Sequence, residues 1–252
     1  MKKPTCNIVI PVYNEEKELA SSVKTLHSFL SEHLTGFEWT ITVADNASID
    51  NTLAIAKKLA GQLKHVTFVH LVQKGRGRAV KKVWSESGAD VVAYMDVDLS
   101  SDLKHFPPLV QSLLRGYDIA IGTRNLSGSR VYGRSMLRSF TSKTYITLMK
   151  LVFWVHFSDA QCGFKAVSKE IVQNVLPYVD DNEWFFDSEL LIVSERLGFR
   201  IYEEPVTWVD NPGSTVRVLK TAIGDLKGMW RLFVSRPWRF NKSLRLLRKV
   251  RS

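Results

Sequence analysis

Asp96 and Asp98 lie one residue apart, directly after the apolar run Val91 to Met95. At the end of a strand, that spacing turns both carboxylates to the same side of the chain. Two such groups repel unless a proton or a cation resolves the repulsion. Paired carboxylates plus substrate phosphates are a usual setting for Mg²⁺ or Mn²⁺. The competing reading is that Asp98 caps a following helix. Two earlier loops carry similar residues: Pro11-Val12-Tyr13-Asn14-Glu15-Glu16, and Asp45-Asn46-Ala47-Ser48-Ile49-Asp50-Asn51-Thr52. Asn14 and Asp50 suit helix N-caps, and acids after them suit the helix dipole. Capping leaves unexplained why all three loops fall on one edge.

That edge follows from the elements. Strand-like segments at Cys6–Val12, Trp39–Ala44, Val66–Val72, Val91–Met95 and Tyr117–Ile121 alternate with helix-like segments. The helices are predicted at Glu15–Leu34, Asn51–Leu63, Ala79–Gly88 and Lys104–Arg115. This alternation predicts βαβ units and a mostly parallel sheet, with ligands at the carboxyl ends of the strands.

Composition narrows the function further. The 252 residues are 45% hydrophobic and 24% charged, which excludes collagen, coiled coil and wholesale disorder. Two cysteines, Cys6 and Cys162, give no disulfide framework and suit a reducing compartment. No secretory signal is expected at the N-terminus, and no apolar run approaches the roughly 20 residues of a membrane-spanning helix. The net charge of +10 is concentrated beyond residue 214: residues 215–252 hold eleven bases and one acid, Asp225, while the rest is balanced. A balanced main body argues against a nucleic-acid footprint.

The motifs together resemble glycosyltransferase family 2. Those carrying the resemblance are Pro11-x-Tyr13-Asn14-Glu15-Glu16, Asp45 with Ser48 and Asp50, Lys74-Gly75-x-Gly77-x-Ala79, and Asp96-x-Asp98-Leu99-Ser100. Gly122-Thr123-Arg124, Asp159-x-Gln161-Cys162-Gly163-Phe164-Lys165, Phe186-Asp187-x-Glu189 and Glu204-Pro205-Val206-x-Trp208 resemble its polyprenyl- and dolichyl-phosphate glycosyltransferases. The Gln-Cys-Gly-Phe-Lys form is nearer the dolichyl-phosphate β-glucosyltransferase branch than the mannosyl branch. One departure stands out: the second loop reads Asp-Asn-Ala-Ser where Asp-Asp-Gly-Ser is usual, which puts the loop geometry in question.

The resemblance implies a GT-A fold, an α/β nucleotide-sugar-binding domain over residues 1–214, with a basic extension over 215–252. It implies an inverting, metal-dependent hexosyltransferase using an NDP-sugar, UDP-glucose first, and polyprenyl or dolichyl phosphate as acceptor. Pro11, Tyr13, Glu15 and Asp45 would form the nucleoside pocket, with Lys74 and Gly75 along the nucleotide and Arg217 clamping the diphosphate. Asp96 and Asp98 would hold Mg²⁺ or Mn²⁺, Asp98 more directly. Arg124, Arg134, Arg138 and Lys165 would position the acceptor phosphate, and Asp159 is the first catalytic candidate. Asp187 and Glu189 are further active-site candidates; Asp187 also reads as an N-cap, and Lys165 as a solvated strand residue.

Finally, Leu219, Ile223, Leu226, Trp230 and Phe233 recur at helical spacing among bases, and Trp238 to Leu247 mixes aromatic, aliphatic and basic residues. Such stripes suit a membrane interface, although the first could equally be core. Tyr145–Phe157 offers a second interfacial helix. For 238–251 the density of bases argues against burial. The expected setting is peripheral, on the cytoplasmic face of a membrane with an anionic surface, with a membrane protein as a further partner.

Overall fold

A computed structural model describes residues 2–210 and 218–251; Arg217 and the side chains of residues 218–220, Leu219 among them, lie outside what it describes. The chain begins with three βα units: β1 (Thr5–Val12) and α1 (Leu19–His33), β2 (Glu38–Asn46) and α2 (Thr52–Gln62), β3 (Val66–Leu71) and α3 (Arg76–Glu86). There follow β4 (Val91–Met95), α4 (Phe106–Leu114), β5 (Ile119–Thr123), the short β6 (Arg130–Tyr132) and the long α5 (Met136–Phe153). The second half holds β7 (Phe164–Ser168), α6 (Lys169–Asn174), α7 (Phe186–Arg196), β8 (Ile201–Pro205) and β9 (Thr207–Val209). Three helices follow: α8 (Val218–Ser235), α9 (Pro237–Phe240) and α10 (Lys242–Arg251).

Seven strands form one sheet in the order β3-β2-β1-β4-β7-β5-β8, and β6 pairs with β9 in a small ribbon. Only β7 runs antiparallel to its neighbours in the large sheet; the other pairings are parallel. The central strands β4, β5 and β7 are buried on both faces, as parallel sheets require, while the edge strands β3 and β8 are partly exposed. Helix α1 starts four residues later than the sequence predicts. Asn14 takes a left-handed φ of 55°, and the amides of Glu15 and Glu16 donate to Thr52 and Asp50, so this stretch is committed to the neighbouring loop. Asn14 itself bridges loops rather than capping a helix: its Oδ1 accepts from the amide of Ile49 at 2.9 Å.

The C-terminal segment corrects one expectation. Residues 238–251 are not wholly unburied: Trp238 and Leu244 lie in the main core beside Met229 and Leu232, while Phe240, Leu246 and Val250 stay exposed. Bases are accommodated because they sit around these anchors, and Arg251 pairs with Asp118 and Glu170. In α8, by contrast, the stripe Ile223, Leu226, Trp230 and Phe233 is not core. It faces outward, while Asp225, Met229 and Leu232 face inward.

Candidate active site

The three acidic loops meet at the carboxyl edge of β1, β2 and β4. The first two are laced together: Asn14 donates its amide to Ser48 Oγ at 3.0 Å, and the Asn51 amide and side chain donate to Glu16. Each loop holds one non-glycine residue in the left-handed region, Asn14, Ala47 and Leu99. Such strain persists where the surroundings over-determine it, commonly at binding sites. Acid is in surplus on this rim. Burial, then Glu18, Asp98, Asp50 and Asp96, push Glu15 up to about 7, and burial and Asp96 also raise Asp98.

Behind the rim lies a buried network that sequence reasoning did not assemble. Arg76, from the first turn of α3, donates to Asp96 Oδ1 at 2.8 Å and to Asp187 Oδ2 at 2.7 Å. Asp187 also accepts from the Tyr94 hydroxyl and pairs with Lys165 Nζ at 3.2 Å. Tyr94 and Lys165 are register partners on β4 and β7, so the sheet places them side by side. Burial opposes the charge on Asp187, but Lys165 and Arg76 outweigh it and hold its carboxyl low. Asp187 is therefore no N-cap. Lys165 is neither a solvated strand residue nor open to an acceptor: it is fully buried and committed to Asp187, Tyr94 and the Cys162 carbonyl. Two cations and two anions balance here, which leaves Asp98 and Glu15 uncompensated.

The expected nucleoside wall is assembled in part. Lys74 Nζ lies 3.3 Å from the centroid of the Tyr13 ring, which follows the β1 end that carries Pro11. Asp45 is buried and faces His70 Nδ1 at 2.6 Å. Asn46, standing where an acid is usual, accepts from the amide of Gly75 at 2.7 Å and so fastens the α3 loop to β2. Gly75 has a different reason for lacking a side chain than room for a nucleotide: its φ is 152°, and a Cβ would meet the Asn182 carbonyl at 2.6 Å.

On the other flank, Asp159 accepts from Arg124 Nε at 2.7 Å, Nη2 at 2.9 Å and its amide, and from the Gln161 amide at 3.0 Å. Burial raises this carboxyl, but Arg124 more than offsets it and holds the pKa low. A carboxylate so saturated positions Arg124 and is poorly suited to accept a proton. Arg124 also stacks over Trp208, with 4.9 Å to its centroid. Arg138 is held by Asp210 at 2.6 Å. Arg134 differs: it is half-buried, its electrostatic neighbours include Arg124, Asp159 and Asp210, and it has no hydrogen-bonded or ion-paired partner among the described residues. Glu189 turns away from this centre; it accepts from the Asp181 amide and from Arg231 at 2.7 Å, tying α7 to α8.

The family model for glycosyl transferase family 2 matches residues 7–176, about two-thirds of the chain. The chain belongs to glycosyl transferase family 2. Over 246 residues it is 31% identical to glycosyltransferase AglD of Haloferax volcanii, covering 97% of this chain and 39% of AglD. It is 26% identical over 227 residues to the dolichyl-phosphate beta-glucosyltransferase of Saccharomyces cerevisiae, covering 82% of this chain and 68% of that protein. Among solved structures, glucosyl-3-phosphoglycerate synthase of Mycobacterium tuberculosis, in complex with Mn²⁺, UDP-glucose and phosphoglyceric acid, matches with a TM-score of 0.62 at 18% identity. The match covers 93% of this chain and 79% of that one. The fold is thus of the GT-A type, as the motifs implied.

For this family 2 chain, the acidic rim fits a divalent cation through its donor chemistry: hard carboxylate oxygens in surplus, with Asp98 lacking a basic partner among the described residues. No cluster of three or more acidic, histidine or cysteine side chains among the described residues could hold the ion alone. Further ligands must then come from donor phosphates or water. Gly163 belongs to the same fit, since a Cβ there would strike the Asp96 carboxylate. Sequence reasoning missed Arg76 because it read Gly75-x-Gly77 for its glycines and passed over the residue between them.

Proposed function

We propose that this chain is an inverting hexosyltransferase that moves a sugar from an NDP-sugar, UDP-glucose first, to polyprenyl or dolichyl phosphate. The product is a β-linked lipid-phosphate sugar. The observation that carries the reading is the contrast across the cleft, between an uncompensated acid rim and the unpartnered Arg134 beside Arg124. A phosphate monoester has a second pKa of about 6 and attacks as an anion without a strong base. That agrees with an Asp159 that has no capacity left to take a proton. Arg134 would fix the acceptor phosphate, Arg124 would orient it, and Asp159 would hold Arg124 in place. Asp96 and Asp98 would hold Mg²⁺ or Mn²⁺, which supplies Lewis-acid stabilisation of the departing diphosphate. The relatives named for dolichyl-phosphate glucosyl transfer support the same acceptor and sugar.

A lipid acceptor also needs a surface to arrive from. Among the described residues no helix is long and apolar enough to cross a membrane. Met136, Leu137, Phe140, Leu151 and Trp154 on and just after α5 are exposed, as are Ile223, Leu226 and Trp230 on α8. These helices would lie in the interface of an anionic membrane, with residues 1–214 as the catalytic body and 215–252 as the attaching segment.

The test is transfer of label from a panel of UDP- and GDP-sugars to a short polyprenyl phosphate, with Mg²⁺, Mn²⁺ or EDTA. Metal-dependent labelling of the lipid is the expected result. Transfer to a soluble glycan, or donor hydrolysis without lipid labelling, would move the acceptor into solution. No turnover with any donor would leave a catalytically silent scaffold.

A further inference from the structure

Helices α5 and α7 both carry site residues near their first turns, Arg138 and Asp187, and both run away from the cleft. At 1.5 Å per residue, the 18 residues of α5 span about 27 Å. At its far end lies a groove of about 490 Å³ between α5, α7 and the α8–α9 corner. Trp154, Phe233 and Trp238 form its apolar walls, and Arg196, Arg236 and Arg239 supply its charge.

These three arginines concentrate positive charge at one end of the fold. None of the three has an acid partner among the described residues. Arg236 is half-buried, and its Nε donates to the Phe233 carbonyl at 2.7 Å while its guanidinium covers the Phe233 ring. Arg236 also sits at a left-handed φ of 38° where α8 breaks into α9, so the corner holds strain to place it there. Arg196 Nε is buried without a hydrogen-bond acceptor. The acid next to it, Glu195, gives its Oε1 to the amide and Nδ1 of His156. Burial, then the like charges of Arg248 and Arg239, hold the pKa of Arg196 down; Glu195 opposes them only in part, and Arg236 adds to the positive side. Like charges gathered in an apolar groove are destabilising until an anion enters, and guanidinium suits phosphate oxygens.

We propose that this groove binds the phosphodiester headgroup of an anionic membrane phospholipid, with its acyl chains leaving along Trp154 and Phe233. Charge complementarity selects the headgroup, and the groove opens onto the same exposed apolar stripe of α5 and α8, which continues it into a bilayer. The chain would then touch the membrane at two ends, with a resident lipid at one and the acceptor at the other. Such an arrangement fixes the tilt of the cleft. The headgroup site rests on the membrane-facing reading of α5 and α8 given above, but its occupancy is read without donor or acceptor, so it stands or falls apart from sugar transfer.

The test compares binding of the full chain to phosphatidylcholine vesicles with and without phosphatidylglycerol. It uses the wild type, Arg236→Gln/Arg239→Gln, and a control of equal charge loss on α10, Lys242→Gln/Arg245→Gln. A base that only senses surface potential contributes about 1 kcal/mol, roughly fivefold, so diffuse attraction predicts equal losses of about 30-fold for both doubles. The groove predicts a loss at least tenfold greater for the arginine pair, with unchanged binding to phosphatidylcholine. Arg196→Lys, which keeps the charge but loses the planar fork, should also weaken phosphatidylglycerol binding, by about tenfold. Equal losses in the two doubles, or no preference of the wild type for phosphatidylglycerol, would overturn the proposal. Melting temperatures of the variants separate a lost site from a lost fold.

Discussion

The loop at Asp159 and the loop at Asp96–Asp98 both present carboxylates to one cleft, and the fold treats them in opposite ways. Asp159 receives four hydrogen bonds, two of them from the Arg124 guanidinium, and its charge is satisfied inside the protein. Asp98 receives one amide, from Ser100 at 3.0 Å, and faces Asp96 and Glu15 with no cation of its own among the described residues. A satisfied carboxylate stabilises the fold and orients its partner, whereas an unsatisfied one destabilises the empty site and points outward to a ligand. The two loops therefore differ in what a neutral substitution should do.

Asp98→Asn should reduce transfer by a factor of about 10³ or more, roughly 4 kcal/mol of transition-state stabilisation. Its melting temperature should be unchanged or higher, because a repulsion has been removed. Asp159→Asn should do the reverse in the melting assay. Leaving Arg124 buried without its counter-charge should cost about 3 kcal/mol of stability. The sign of the pH dependence agrees. A carboxyl held low in the folded state stabilises above its ordinary pKa, and that stability is lost as pH falls through the acid range. The Asp159→Asn variant should lose that part of the acid sensitivity. If instead Asp98→Asn melts lower than Asp159→Asn, the division between satisfied and available charge is wrong.

Arg134 sharpens the comparison from the cationic side, since it is to Arg124 what Asp98 is to Asp159. Arg134→Ala should raise KM for a short polyprenyl phosphate by about 10- to 100-fold, as expected for losing a charge-assisted contact. Hydrolysis of the donor without acceptor should stay near wild type. A variant that lowers both equally would place Arg134 on the donor instead.

Asp225 is a third kind of carboxylate, unsatisfied like Asp98 but sealed away. Its Oδ2 accepts from Gln161 Nε2 at 2.7 Å, its Oδ1 has no partner, and burial pushes its pKa up to about 7. The folded chain thus keeps a proton that the unfolded chain has shed between the ordinary carboxylate range and pH 7. Stability from this group is full in acid and lost as pH rises through 7. Asp225→Asn, which can still accept from Gln161, should match wild type near pH 4 and exceed it near pH 8 by on the order of 2 kcal/mol. Denaturant titrations at the two pH values would read this directly, and an equal difference at both would remove the explanation.

The positions of β1 to β5 and the shared edge were legible in the sequence because buried apolar runs and turn residues carry them locally, whereas β6 to β9 were not placed. Asp96, Asp98 and the family resemblance followed from the same short-range spacing. Arg76, Tyr94 and the burial of Lys165 were not legible, because the network joins α3, β4, β7 and α7 across as many as 111 positions of sequence. A lysine on a strand reads as solvated until the facing helix is known to bring an aspartate. The outward direction of the α8 stripe was hidden for a related reason. Apolar spacing marks a helical face without saying whether protein or another medium covers it, and the inward face was won by Met229 and Leu232 beside one buried acid.

Ala47 is where the sequence posed a question that the structure answers. The missing glycine put the loop geometry in doubt, yet Ala47 adopts a φ of 60° in the left-handed region that glycine would occupy. The loop keeps its shape because its neighbours hold it: Ser48 accepts from Asn14, and the Ile49 amide donates to Asn14 Oδ1. An L-residue with a Cβ is strained there by roughly 1–2 kcal/mol, partly offset by the lower entropy of an unfolded chain with alanine in place of glycine. Ala47→Gly should therefore stabilise the chain by about 0.5–1 kcal/mol while leaving KM for the donor within about twofold, since the backbone already follows the glycine path. A destabilised variant would mean that the left-handed turn carries little strain, and that the loop is held by its side-chain lacing rather than in spite of its backbone.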